Sequence, residues 1–135
     1  MHSLSNKKLQ MALIGCGYWG TIIANNLLNL GYKNFYIYDS NIKNSQNLKK
    51  KFQNVIISRN YNDILKNESI INIFYATPPS KNFSIIKKAL FYKKNIFLEK
   101  PGFNKISDFV KIKKLQSNNK TLMFGYVYCF NSYIE

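Results

Sequence analysis

Short, almost unbroken apolar runs punctuate this chain, and most are followed by a polar turn and then by apolar residues three or four positions apart. Leu9 to Ile14 is almost wholly apolar, as a parallel strand buried on both faces should be. Tyr18 to Leu30 carries Ile23, Leu27 and Leu30 along a helical stripe, and Gly31 stands where a helix-ending glycine belongs. Phe35 to Tyr38 is the next strand. A polar helix over Ile42 to Phe52 follows, with Ile42, Leu48 and Phe52 as its apolar anchors. Val55 to Ile57 then forms a short strand, and Tyr61 to Lys66 a brief helix with Ile64 and Leu65 facing inward.

The second half repeats the scheme. Ile70 to Ala76 is nearly continuous apolar sequence and predicts a central strand. It runs into Thr77-Pro78-Pro79-Ser80, whose prolines end ladder donation and suit the first turn of a helix. Phe83, Ile86 and Leu90 give that helix, to about Tyr92. Asn95 to Leu98 is a strand ending at Glu99-Lys100-Pro101; Ile106, Phe109, Ile112 and Leu115 predict a helix, and Thr121 to Tyr128 a last strand. Such alternation specifies an α/β fold, a doubly wound parallel sheet in the order 3-2-1-4-5-6. It divides the chain into a tail over 1–8, one domain over 9–128, and the start of a crossover over 129–135.

In such sheets ligands bind beyond the carboxyl ends of the strands, so three stretches should converge there: the loop after the first strand, Ala76-Thr77-Pro78, and Glu99-Lys100-Pro101. That first loop is Gly15-Cys16-Gly17-Tyr18-Trp19-Gly20, with G-x-G-x-x-G spacing. Gly15 makes the tight turn, Gly17 leaves room for a pyrophosphate against the backbone, and Gly20 lets the helix pack closely. The helix N-terminus offers unpaired N–H groups to the phosphates. An acid is required about 20 positions further on, at the next strand's end, and Asp39 stands there. A carboxylate at that point accepts both adenine-ribose hydroxyls and repels the extra phosphate of NADP, so NAD is the expected cofactor and NADP the less favoured one.

Composition narrows the picture. With 135 residues and a hydrophobic fraction of 46%, the chain suits one globular domain. No apolar run approaches the roughly 20 residues of a membrane span. The start, Met1 to Lys8, lacks the apolar core of a secretory signal, so a cytoplasmic address is expected. Cys16 and Cys129 are too few for a disulfide framework and are expected to stay reduced. The net charge of +14 is almost all lysine, Arg59 being the single arginine. Lys49 to Lys51, Lys93-Lys94 and Lys113-Lys114 fall near helix ends, where cations suit the macrodipole, which favours solvated helix faces over nucleic-acid binding. No metal site is assigned.

Taken together, Gly15 to Gly20, Ala76-Thr77-Pro78-Pro79-Ser80, Phe97-Leu98-Glu99-Lys100-Pro101 and Gly125-Tyr126-Val127-Tyr128 resemble the Gfo/Idh/MocA oxidoreductases in order and spacing. The resemblance implies a dinucleotide domain joined to a second α/β domain that binds a sugar, polyol or sugar nucleotide. It also implies roles: Glu99 toward the nicotinamide ribose, and Lys100 beside the reacting carbon, polarising a hydroxyl or ketone during hydride transfer. Tyr18, Trp19, Ala76, Thr77 and Pro78 join Gly15, Gly17, Gly20, Asp39, Glu99 and Lys100 as candidate cofactor residues, with Lys100 as the catalytic candidate. The isomer of the Lys100–Pro101 bond, cis in some members, stays open.

Four positions depart from the family pattern. Asn82 and Asn95 stand where members often carry histidine, Cys129 replaces an arginine and Ser132 a proline, which puts nicotinamide-side and substrate-side contacts in question. Phe130 to Glu135 resembles the first turn of the crossover helix into the second domain, whose histidine and acid have no counterpart, since His2 is the single histidine. The expectation is therefore the cofactor half of a dehydrogenase, poorly active by itself, with self-association left open. The alternative is a non-catalytic NAD-binding module acting as a sensor or partner subunit.

Overall fold

A computed structural model of the chain describes residues 10–117, 119–126 and Cys129. Strands β1 (Gln10–Ile14), β2 (Phe35–Tyr38), β3 (Val55–Ile57), β4 (Ile70–Tyr75), β5 (Asn95–Leu98) and β6 (Leu122–Phe124) alternate with helices. These are α1 (Tyr18–Asn29), α2 (Ile42–Lys51), α3 (Tyr61–Lys66), α4 (Pro79–Phe91) and α5 (Ile106–Leu115). The strands form one sheet in the order β3-β2-β1-β4-β5-β6, and every pairing is parallel. The chain therefore reverses direction of winding between β1 and β4, which is where such sheets open a crevice.

Side-chain alternation along each strand divides the core in two. Leu13, Phe35, Ile37 and Val55 point toward α1 and α2, where they meet Ala24, Leu27 and Leu48. Ala12, Ile14, Ile73, Tyr75, Ile96 and Leu98 point the other way and meet Ile64, Leu65, Ile86, Leu90 and Ile112. Gly31, at φ +87°, ends α1 as its position predicted. Pro79 opens α4 at its first turn.

Several sequence expectations change. Of the predicted α5 stripe only Ile112 is buried, and Ile106 is 84% exposed. The reason is position: α5 lies toward the β6 edge, where the sheet runs out before it can cover the whole stripe. Ile42, an expected anchor of α2, is exposed, and Ser45 is buried in its place. Lys94 is not a solvated helix-end charge: it is buried, and its ammonium donates to the carbonyls of Asn67 at 2.8 Å and Ile70 at 2.6 Å. Desolvation lowers its pKa from the ordinary lysine value, and Glu68 partly offsets that. The other lysine runs do end helices α2 and α5. The tail over 1–8, Leu9, and Val127, Tyr128 and 130–135 lie outside the described residues. Among the described residues no helix is long and apolar enough to cross a membrane.

Candidate functional site

At the carboxyl ends of the strands the parallel ladder continues one residue into each loop. Gly15 N–H donates to the Tyr38 carbonyl at 2.8 Å, Ala76 N–H to Ile14 at 2.8 Å, Glu99 N–H to Tyr75 at 2.9 Å and Gly125 N–H to Leu98 at 2.9 Å. The four motif stretches are thus set side by side along one rim of the sheet.

The three loop glycines serve different ends. Gly15 has φ +93°, and a β-carbon there would overlap the Ala76 carbonyl. A β-carbon on Gly20 would overlap the Gly15 carbonyl, so α1 starts directly against the turn. A β-carbon on Gly17 would meet nothing within 4 Å. Gly17 is also the N-cap of α1 and supplies no side-chain cap, so the first-turn N–H groups of the helix have no side-chain acceptor at that end.

Asp39 sits at the tip of β2 and fastens this turn. Its Oδ2 accepts from Cys16 N–H at 2.8 Å and its Oδ1 from Asn41 N–H at 2.8 Å, which leaves each oxygen with capacity for a further donor. Cys16 is buried, 3.7 Å from the Ser45 hydroxyl, and burial pushes its thiol up to about 11, with Asp39 adding to the rise and Ser45 opposing it. It stays a neutral thiol at physiological pH.

These loops enclose a crevice of about 430 Å³ at the tips of β1, β2 and β4. Gly15, Gly17, Asp39, Ala76, Thr77 and Pro78 line it, together with residues the motifs did not single out, among them Asn44, Tyr61 and Lys81. Tyr61 opens α3, just beyond the carboxyl end of β3, and Lys81 lies in the first turn of α4. Their positions follow from the carboxyl-end rule once the strand order is known. Tyr61 donates to the Ile85 carbonyl at 2.9 Å and accepts from the Tyr75 hydroxyl at 2.7 Å. Burial raises both phenols above the ordinary tyrosine range.

Tyr18, Trp19, Gly20, Glu99 and Lys100 do not line that cavity. Tyr18 and Trp19 form an exposed edge-to-face pair with ring centroids 5.5 Å apart. The Lys100 ammonium lies 4.9 Å from the centroid of the Trp19 ring, which brings the β5 tip to the start of α1. The Lys100–Pro101 bond is cis. Asn82, buried in α4, accepts from the Thr77 hydroxyl at 2.5 Å and donates to the Gly102 carbonyl at 2.6 Å. Asn95 lies at the opposite end of β5 from Glu99, bonded to Asn72 and to Thr121 N–H, so its identity bears on the sheet and not on the crevice. Among the described residues no three His, Cys, Asp or Glu side chains come together as a metal set.

Residues 9–126 match the model of the GFO_IDH_MocA family, described as an oxidoreductase family with an NAD-binding Rossmann fold. No curated protein sequence matches the chain. Among solved structures, myo-inositol dehydrogenase from Lactobacillus casei, in complex with NAD(H) and myo-inositol, is similar at TM-score 0.84 and 19% identity, covering 92% of this chain and 38% of that one. UDP-N-acetylglucosamine 3-dehydrogenase from Acidithiobacillus ferrooxidans is similar at 0.75 and 16%, covering 87% and 38%. Biliverdin reductase from Synechocystis, in complex with biliverdin and NADP+, is similar at 0.79 and 17%, covering 93% and 40%. The chain spans about two-fifths of the length of these proteins, and at such identities the likeness is one of fold.

Proposed function

The chain belongs to the Gfo/Idh/MocA oxidoreductase family, whose NAD-binding Rossmann fold it carries, and from that premise we propose that it is the cofactor-binding part of a dehydrogenase acting on a sugar, polyol or sugar-nucleotide hydroxyl or ketone. The observation that carries the proposal is the contrast among the loop glycines. Gly15 and Gly20 are held against protein, whereas Gly17, at the uncapped N-terminus of α1, faces open space and lines the same crevice as Asp39. That cradle fits a diphosphate, because main-chain N–H groups and the helix dipole favour an anion there.

Asp39 takes the adenine-ribose hydroxyls on its remaining lone pairs, and its charge opposes a 2′-phosphate, so NAD is preferred to NADP. Ala76, Thr77 and Pro78 form the far wall. Glu99 serves the nicotinamide ribose, and Tyr18 and Trp19 flank the nicotinamide end. A bound nicotinamide supplies the hydride carrier. Lys100 supplies a positive charge and a hydrogen-bond donor at the rim, stabilising negative charge that develops on the substrate oxygen. The relatives named for inositol and for a sugar nucleotide support that substrate class.

Calorimetric titration of the chain with NADH, NADPH and ADP-ribose tests this reading. NADH and ADP-ribose should bind, NADPH about tenfold more weakly than NADH. Asp39→Ala should weaken NADH more than NADPH. Equal affinity for NADH and NADPH, unchanged by that substitution, would overturn the ribose assignment.

A further inference from the structure

We propose that Asn82 is a positioning residue: it ties the loop after β4 to the turn after β5, and the grip on the nicotinamide half of the dinucleotide depends on that tie. The proposal rests on the dinucleotide reading of the crevice. It goes beyond it because Asn82 lines no part of the cavity and belongs to none of the motif stretches.

The geometry leaves Asn82 one way to bond. The Gly102 carbonyl can only accept, so Nδ2 must face it, and Oδ1 is thereby turned to the Thr77 hydroxyl, which must donate. Both bonds are short and the amide is fully buried, so neither partner has water as a ready substitute. Asn82 is in the first turns of α4, and helical side chains lean toward the N-terminus, which brings its amide back beneath Thr77.

Each end of the tie reaches a motif. The Thr77 methyl carbon lies 3.3 Å from where a Gly15 β-carbon would stand, so fixing Thr77 also fixes what lies against the glycine turn. Gly102 is buried at φ +81°, and a β-carbon there would meet the Phe124 ring at 2.7 Å and 2.9 Å. Its N–H donates to the Glu99 carbonyl at 3.1 Å, closing the turn that presents Glu99 and Lys100. Asn82 therefore takes up one carbonyl of that turn in the buried layer at 2.6 Å, while the exposed Tyr126 hydroxyl donates to another, that of Pro101, at 3.2 Å. The Asp39 side of the crevice is held separately, by backbone N–H groups of Cys16 and Asn41.

The full chain contains one tryptophan, Trp19, so quenching of its emission follows NADH binding, and calorimetry follows ADP-ribose, which lacks nicotinamide. Asn82→Asp keeps the shape but places a second acceptor against the Gly102 carbonyl. It should weaken NADH by about tenfold and ADP-ribose by less than about twofold. Asn82→His, with one acceptor and one donor in its neutral ring, should recover most of the loss. If Asn82→Asp does not fold, Asn82→Ala decides, since it removes both bonds, adds no charge and alters no residue that lines the crevice; it should show the same selective loss. Equal weakening of NADH and ADP-ribose, or no change in either by a folded variant, overturns the proposal. Wild-type chain that binds neither ligand overturns the dinucleotide reading and the proposal with it, whereas wild type that binds ADP-ribose as tightly as NADH overturns the proposal alone.

Discussion

The crevice at the tips of β1, β2 and β4 and the rim at the tips of β5 and β6 lie side by side on the same sheet, yet they are held by different means. In the crevice, Asp39 is pinned by two main-chain N–H groups, two of the glycines sit against backbone carbonyls, and Gly17 opens onto free space. At the rim, Lys100 is exposed and rests on an exposed tryptophan, and the turn beside it overlooks an apolar hollow of about 520 Å³ lined by Pro101, Phe103, Phe109, Phe124 and Tyr126. Under the proposed function, holding an anion and placing a cation beside the substrate are separable tasks. Backbone dipoles fixed by a turn do the first without any long side chain. The second depends on a flexible ammonium, whose place is set by what supports it.

The two regions separate most sharply at the glycines. Gly20→Ala should cost at least about 3 kcal/mol of stability, because its β-carbon meets the Gly15 carbonyl and the backbone there has nowhere to move. Gly17→Ala should cost less than about 1 kcal/mol, since its β-carbon meets nothing, yet weaken NADH and ADP-ribose by about tenfold or more by filling the cradle. Chemical denaturation and calorimetry on the two variants measure both. If Gly17→Ala binds as wild type does, the cradle is not where the diphosphate sits.

Asp39→Ala comes next. It frees the N–H groups of Cys16 and Asn41 and should destabilise the fold by about 1–3 kcal/mol, besides its effect on affinity. Alkaline unfolding gives a graded test of how the ionisable groups are buried. Cys16, Tyr61 and Tyr75 all have pKa values raised by burial in the folded state. Their stabilising contribution is complete below the unfolded values and is lost as pH climbs; for Cys16 the loss spans its ordinary 9.0 to about 11. Lys94 acts in the opposite sense: its lowered pKa makes its penalty fade as pH rises toward the ordinary 10.5. Melting temperatures should fall above about pH 9, less so in Tyr61→Phe, and more so in Lys94→Met.

The smallest effect belongs to the rim. Lys100→Met should change stability by less than about 0.5 kcal/mol, because the residue is exposed, while shifting the emission of Trp19 beneath it. A loss of stability comparable to that of Asp39→Ala would erase the contrast between the two regions.

Much of this architecture was legible in the residue pattern. The apolar runs located the strands, and β2, β3, β5 and α3 have the predicted bounds. Glycine spacing located the turn, because Gly15 is demanded by its positive φ and Gly20 by a contact with Gly15 close along the chain. The apolar stripe of α5 misled, since spacing reports which residues share a face but not whether anything covers it. Lys94 looked like its neighbours and proved buried, because the carbonyls it bonds, those of Asn67 just after α3 and Ile70 at the start of β4, lie far from it in the chain. Asn82 and Asn95 looked alike as departures from a family pattern. One fastens the crevice and the other joins strands at the far end of the sheet.

The sequence by itself determined the strand–helix alternation, the glycine turn and the acid at the next strand's tip, because each depends on local spacing or on backbone freedom at a single position. Which partners the polar side chains of these loops meet became visible only in the folded chain. Asn82 reaches a partner 20 residues away and Asp39 one 23 residues away. A hydrogen bond of that kind exists only where folding brings one donor and one acceptor together away from water, and neither residue type nor local periodicity encodes that meeting.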